Sequence, residues 1–320
     1  PSALPEVERS SIKQDLHRRD FTINTLAIQL DPDCFGELLD FYGGENDLQR
    51  GLIRVLHSLS FVEDPTRMLR AARLEQRLAF RIEARTEELL RDALDLLDPV
   101  SGERIYHELH LIFHEAMPER ALLRLEDLGV LRQIHSGICI DDWVVQRLKE
   151  LRSGLDNTPW ASTEPGDVHY LGLLTFRMSE KTMEEIIVRL RIRAQDASTL
   201  KQVQILRSLL PELNRPRRPS QLHHMLETLT GEALLVGWLA CEEETARAQI
   251  AQFQRELRGV EPIIDGHFLS QEFNLRPGPL YRQILDYLRA ARLDGQAITL
   301  DDEYALVERW LAEQGMVTND

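Results

Sequence analysis

Two short segments concentrate the polar side chains best suited to chemistry: Arg18-Arg19-Asp20-Phe21-Thr22-Ile23-Asn24 and Glu63-Asp64-Pro65-Thr66-Arg67. Polar groups this dense call for a charged ligand, and together the segments read as a nucleotide pocket. Arginine forks suit a triphosphate, and the carboxylate of Asp20 suits a ribose hydroxyl. Asp64 and Arg67, spaced i and i+3, face one side of a helical turn. A carboxylate beside a guanidinium matches a base edge that offers an amino donor next to a ring-nitrogen acceptor. Cytosine and adenine carry that pattern, whereas guanine and uracil put a carbonyl and a ring N–H there. Plainer roles stay open: Asp64 as a helix cap paired with Arg67, and Arg18, Arg19 and Asp20 as a salt-bridged surface turn.

Arg67, Arg70, Arg73, Arg77 and Arg81 fall within about a third of a turn on a helix of roughly 100° per residue. Such a face suits RNA backbone or triphosphate, with Arg70, Arg73 and Arg77 the candidate phosphate contacts. The alternative is a solvated face balanced by Glu75 and Glu83. His107, His110 and His114 share a helical side, and His110 to His114 has metal-ligand spacing. No carboxylate with metalloprotease spacing accompanies them, so they read as structural or surface histidines and no metal ligand is assigned. Asp31-Pro32-Asp33 reads as a hairpin turn between apolar runs. Asn214-Arg215-Pro216-Arg217-Arg218-Pro219 is a basic, proline-bounded loop, which is more often solvated than phosphate-binding.

At 320 residues the chain can hold two or three units with cores of their own. A net charge of −15 argues against a uniformly basic, nucleic-acid-coating surface, which leaves local arginine clustering to decide the matter. Cys34, Cys139 and Cys241 are scattered without Cys-x-x-Cys spacing, so neither a disulfide framework nor a zinc site is expected, and a reducing cytoplasm fits. No apolar run approaches the roughly 20 residues of a membrane span.

The pattern predicts an α+β fold that is mostly α-helical. Strands are expected through Ala27 to Leu30 and Glu37 to Asp40, with a short helical piece after Asp20. From Asp64 onward the chain reads as helices: one capped by Asp64 with Pro65 first and Met68, Leu69, Ala72 and Leu78 buried, one capped by Thr86, one started by Ser101 and one by Pro118. Further amphipathic helices follow, broken near Asp156 to Gly166 and Asn214 to Pro219, and the last unit carries Pro277-Gly278-Pro279 before a helix with Ile284, Leu285 and Leu288.

The Arg-Arg-Asp and Glu-Asp-x-x-Arg segments, with Asp40-Phe41-Tyr42-Gly43-Gly44, Asp47-Leu48 and Gly51-Leu52-Ile53-Arg54 between them in order, resemble the bacterial-type (class II) tRNA nucleotidyltransferase and poly(A) polymerase family. The likeness is strong over the first 130 residues or so and weak between Asp141 and Val260. Pro277-Gly278-Pro279 and Leu293-Asp294-Gly295 are similar to the family's tail. The resemblance implies the C-terminal remnant of a polymerase-β-like head at 1–56, a helical neck for nucleotide selection and RNA binding at 57–140, a helical body at 141–260 and a tRNA-binding tail at 261–320. It further implies a template-independent enzyme adding C, A or both to a tRNA 3′ end from CTP and ATP. Glu63 would orient Arg67, Asp64 and Arg67 would act as the protein template, and Arg18, Arg19, Asp20 and Asn24 would contact sugar and phosphates. The segment Asp40 to Arg54 would join head to neck as a hinge. The family's Mg²⁺ ligands, a Gly-rich turn with Asp-x-Asp, are expected upstream of Pro1, so the chain is expected to be a fragment that is inactive by itself. Within the family, CCA-, CC- and A-adding enzymes and poly(A) polymerases remain alternatives. Outside it stands a non-catalytic RNA-binding protein, should Pro1 lie near the natural start.

Overall fold

The computed structural model of the chain describes residues 11–315. They pack as two compact units, residues up to 149 with 173–197 in the first and 150–172 with 198 onward in the second. The class is α+β and mostly helical, as expected.

The first unit opens with α1 (Ile12–His17), where Ser11 and Gln14 bond reciprocally in a capping box. A 3₁₀ turn at Thr22–Thr25 leads into β1 (Ala27–Ile28), paired antiparallel with β2 (Leu38–Leu39) so that Ala27 faces Leu39. Both strands are shorter than the predicted runs. Asp31-Pro32-Asp33 lies in the hairpin loop, where Pro32–Cys34 form a 3₁₀ turn. Helix α2 (Gly44–Arg50) is entered through Gly43 at φ 75° and left through Gly51 at φ 63°, left-handed positions that favour glycine. Gly44 is needed for close approach: a Cβ there would sit 2.3 Å from the Thr22 carbonyl oxygen. Asp40 closes the start of α2 by accepting from the amides of Tyr42, Gly44 and Glu45.

Next come β3 (Leu52–Ile53), α3 (Ser60–Glu63), α4 (Arg67–Leu78) and β4 (Arg81–Ile82), with β3 and β4 parallel and Leu52 opposite Arg81. Three expectations are corrected here. Helix α4 starts at Arg67 with Thr66 as N-cap, because Asp64 is extended (φ −146°, ψ 96°), the conformation a following proline favours. Arg81 leaves the helix, since Ala79 turns left-handed (φ 54°) and sends the chain into β4. Leu78 is 39% exposed, and Ala71 joins Met68, Leu69 and Ala72 in the core.

Helix α5 (Ala84–Asp92) is capped by Glu83 rather than Thr86. Thr86 is buried: its amide and hydroxyl donate to Glu83 at 2.8 and 3.0 Å, and the hydroxyl accepts from the Val55 amide. Beyond α5, Leu94–Leu97 form a separate 3₁₀ turn. Then follow α6 (Gly102–Phe113) after Ser101, α7 (Pro118–Asp127) with proline at its first turn, and α8 (Val130–Ile134) beyond the left-handed Gly129. Further along are α9 (Asp142–Ser153), α10 (Asp167–Thr175), α11 (Glu180–Leu190) and α12 (Ala194–Leu213).

The second unit contains α13 (Pro219–Leu226), α14 (Gly231–Ala240), α15 (Glu244–Gln252) with a π-helical turn at Phe253–Leu257, α16 (Gly266–Glu272), α17 (Pro279–Leu293) and α18 (Leu300–Glu313). Asp294 accepts from both the amide and the hydroxyl of Ser220 and so closes the first turn of α13. In the basic loop before α13, Arg217 pairs with Glu212 at 3.3 Å. A C-terminal core gathers Ile264, Leu269, Ile284, Leu288 and Val307. Within it Glu303, fully buried, accepts from the amides of Ile263 and Ile264 and pairs with Arg292 at 3.0 Å. Among the described residues no helix is long and apolar enough to cross a membrane.

Candidate nucleotide site

The site is built around the first turns of α4. Asp64 Oδ1 accepts from the amide and the hydroxyl of Thr66 at 3.0 and 2.6 Å, which folds the Asp-Pro-Thr turn against the start of the helix. The same oxygen accepts from Nη2 of Arg104, on α6, at 2.7 Å. Partial burial alone would raise the Asp64 pKa. The Thr66 donors and the charges of Arg104 and Arg70 outweigh it and hold the carboxyl below its ordinary value.

Arg67 is only 6% exposed. Its Nη1 donates to the Ser60 carbonyl at 3.1 Å and its Nη2 to the Arg18 carbonyl at 3.0 Å, while Glu63 Oε2 lies 3.6 Å from Nη1. Arg67 therefore reaches back to α3 and to the residue after α1, and Asp64 takes Arg104 as its ion-pair partner. Arg18 contributes its carbonyl, and its side chain is exposed. Arg19 turns away to pair with Asp15 at 3.5 Å, with both side chains largely exposed.

Asp20 is buried and fully engaged. Its Oδ1 accepts from the Phe21 amide at 2.9 Å and from Asn24 at 2.8 Å, and its Oδ2 accepts from Arg70 at 3.1 Å. Arg70 donates onward to Glu108 on α6 at 2.9 Å. Its burial would favour loss of the proton, but Glu108 and Asp20 bind the cation and push its pKa up further. Arg73 meets Glu115 at 3.2 Å and Glu108 at 4.0 Å, and Arg77, more than half exposed, lies 4.0 Å from Glu115. The arginine face is thus balanced by Asp20, Glu108 and Glu115. Glu75 and Glu83 serve elsewhere, against Arg124 and Arg54. Thr66, Arg70, Glu103, Arg104, His107 and Glu108 line a cleft of about 250 Å³ beside Asp64.

The structure thus joins Asp20, Asn24 and Arg70 in one network, anchors Arg67 to the carbonyl of Arg18 and to Glu63, and leaves the Arg19 side chain outside. Sequence reasoning missed Thr66, Arg104 and Glu108. Glu108 carried a signal, because it falls on the buried stripe of Ile105, Leu109 and Ile112, and an acid there requires a cation. His110 and His114 have ring centroids 4.3 Å apart, and His114 Nδ1 lies 2.8 Å from the His110 carbonyl oxygen.

The Mg²⁺ ions that the resemblance implies do not fit these carboxylates. Both oxygens of Asp20 already accept from amide or guanidinium donors, Asp47 is taken up by Thr22 and Arg54, and Asp64 keeps only Oδ2, beside the Arg104 cation.

Comparisons with known proteins cover both flanks of this site and most of the chain. The chain matches a poly A polymerase head domain model over residues 2–54 and a model described as a probable RNA and SrmB-binding site of polymerase A over residues 79–140. It is 37% identical to an A-adding tRNA nucleotidyltransferase of Geobacter sulfurreducens, over 97% of the chain but only 36% of that relative's length. An A-adding tRNA nucleotidyltransferase of Halalkalibacterium halodurans is 32% identical over 92% of the chain and 67% of the relative. Among solved structures, a CCA-adding enzyme in an apo form aligns at TM-score 0.79 and 30% identity, covering 98% of this chain and 75% of that one. The Thermotoga maritima CCA-adding enzyme complexed with tRNA-CCA aligns at TM-score 0.78 and 29% identity, covering 95% and 75%. With these likenesses spanning both units and the motif residues lying where they do, the chain belongs to the bacterial-type tRNA nucleotidyltransferase and poly(A) polymerase family.

Proposed function

We propose that this chain is the nucleotide-selecting and RNA-binding portion of a template-independent nucleotidyltransferase that extends tRNA 3′ ends from ATP, CTP or both. The observation that carries the reading is the Glu63-Asp64-x-x-Arg67 turn, with an ionised Asp64 bonded to Arg104 at the edge of a cleft and Arg67 fixed from behind by two carbonyls. Asp64 accepts from the base amino group, and a remaining Arg67 N–H donates to the ring nitrogen. Asn24, held in place by the buried Asp20, contacts the ribose. Arg18 and Arg19, both exposed, serve the triphosphate, and Arg77, the most exposed arginine of α4, is the strongest candidate for an RNA phosphate. Head, neck, body and tail keep the roles that the resemblance implies, with tRNA binding extending to the tail. The A-adding relatives favour ATP as the substrate. CCA-adding enzymes solved with ATP and with CTP support a second reading in which one pocket takes both bases, since C and A share the edge that Asp64 and Arg67 read.

The test is base choice in the complete protein. Asp64→Ala removes the acceptor for the amino group, and loss of a bidentate base contact costs on the order of 1–3 kcal/mol, so preference for A or C over U should fall about 5- to 150-fold. Circular dichroism should report unchanged helix content. A folded Asp64→Ala protein that retained its full preference over U would move base selection to other residues.

A further inference from the structure

The Asp64 carboxylate is unevenly occupied. Oδ1 receives three donors, the Thr66 amide, the Thr66 hydroxyl and Arg104 Nη2, and Oδ2 receives no hydrogen bond from the described residues. An oxygen with three donors has no lone-pair direction left for a ligand. The plane of the carboxylate is fixed by these donors, and its one available oxygen is Oδ2.

Thr66 belongs to the same turn as Asp64, but Arg104 comes from another element whose position is itself fixed. Gly102, at the start of α6, lies so close to the Arg189 carbonyl that a Cβ would approach its oxygen to 2.0 Å. Glu103 pairs with Arg191 at 3.0 Å, and Arg189 donates to the carbonyls of Leu97 and Val100 just ahead of α6. The first turn of α6 is thereby held on both sides, and Arg104 extends from it along the cleft to Asp64. A surface ion pair ordinarily contributes little to stability, and Arg104 is 54% exposed, so a role in the fold does not account for its geometry.

We propose that Arg104 is a positioning residue for base selection: it fixes Asp64 through Oδ1 so that Oδ2 is presented to the amino group of the incoming adenine or cytosine. This rests on the base-reading role assigned to Asp64 above. Arg104 acts through Asp64 and needs no contact with the nucleotide.

The experiment compares Arg104→Ala, Arg104→Lys, Asp64→Ala and the Arg104→Ala/Asp64→Ala double variant in the complete protein, measuring kcat and KM for ATP, CTP and UTP with a tRNA acceptor. Arg104→Ala should lower the preference over UTP roughly tenfold, within the range for one specific base contact, with melting temperature little changed. Arg104→Lys keeps the cation but not the planar fork and should recover part of the preference. The double variant should be no less selective than Asp64→Ala, because the two residues act as one unit.

If Asp64→Ala loses selectivity and Arg104→Ala keeps it, the positioning role is wrong and the reading of Asp64 stands. If neither loses it, the reading of Asp64 itself fails. A uniform loss of kcat/KM for all three nucleotides in Arg104→Ala, with their ratio preserved, would place Arg104 on the shared sugar or phosphates and overturn the proposal. Additive losses in the double variant would overturn it as well.

Discussion

Arg67 combines anchoring with the recognition proposed for it in one planar group. Its fork spans the carbonyls of Ser60 and Arg18, two acceptors brought together from separate parts of the chain, and this aims the remaining N–H groups. An ammonium is a point donor and cannot span both carbonyls in one plane. Arg67→Lys should lose at least one of these charge-assisted hydrogen bonds and destabilise the protein by about 1.5–3 kcal/mol, the usual contribution of a hydrogen bond to a charged group. Urea unfolding would register this as a lower midpoint at unchanged slope. An unchanged midpoint would mean that solvent or a shifted neighbour satisfies those carbonyls. The stability effect separates Arg67 from Arg104, whose replacement is expected to alter selectivity alone.

At the scale of elements, α4 is held by acids from its surroundings and by one arginine from α7. Arg124 Nε donates to Glu75 at 2.7 Å, its Nη2 meets Glu87 at 2.5 Å, and Asp127 completes the set. Burial would lower the Arg124 pKa, but Glu75 and Glu87 raise it well above its ordinary value, so the guanidinium stays charged. Glu75 also accepts from the Ile82 amide at 2.7 Å, which ties the end of α4 to β4. Arg124→Ala leaves Glu75 buried without a counter-charge. Removing one partner of a buried pair costs about 3–5 kcal/mol, and partial exposure of Arg124 brings the expectation to about 2–3 kcal/mol, measurable by thermal or urea unfolding. A loss below 0.5 kcal/mol would show that water reaches Glu75. The helices themselves were largely legible in the sequence, because Ser101, Pro118 and Pro279 stand where starts require them and apolar spacing marks α6, α7 and α17. What escaped was set by contacts remote in sequence. Nothing local marks Ala79 as left-handed, so Arg81 was counted on the wrong element. The Asp64–Arg104 pair spans forty residues and depends on how α6 is seated. The motifs singled out Asp20, Asp64 and Arg67, and the hydrogen-bond partners of these residues came from packing that periodicity does not encode.

On the scale of the whole molecule, the two units hold their titratable groups differently. In the second unit His169 and His223 are buried, at 4% and 7% exposure. Burial lowers both pKa values, against the opposing charges of Glu232 and Glu227. His169 Nδ1 accepts from the Gly166 amide, an acceptor role open only to the neutral ring. A folded pKa below the unfolded value means that the unfolded chain takes the proton first. Stability is therefore full above about pH 6.5 and declines as pH falls below it, by up to about 1.4 kcal/mol per pH unit for each histidine. In the first unit the lowered groups are carboxylates, Asp40, Asp64, Glu83, Glu87 and Asp141. Burial tends to raise each, and amide, hydroxyl or guanidinium partners more than offset it. Their contribution is intact above the unfolded carboxylate range, near pH 4, and disappears as pH falls through the still lower folded values. Acid should therefore weaken the second unit first. Trp143 is the only tryptophan in the first unit, so in a Trp143→Phe variant the fluorescence of Trp160, Trp238 and Trp310 reports the second unit alone. Its urea midpoint should begin to fall between pH 6.5 and 5, while the far-ultraviolet circular dichroism retains a second, later transition until pH nears 4. Replacing both histidines by glutamine should flatten the earlier decline. Midpoints that stayed level down to pH 4.5, or fell equally in the glutamine variant, would remove these histidines as its cause.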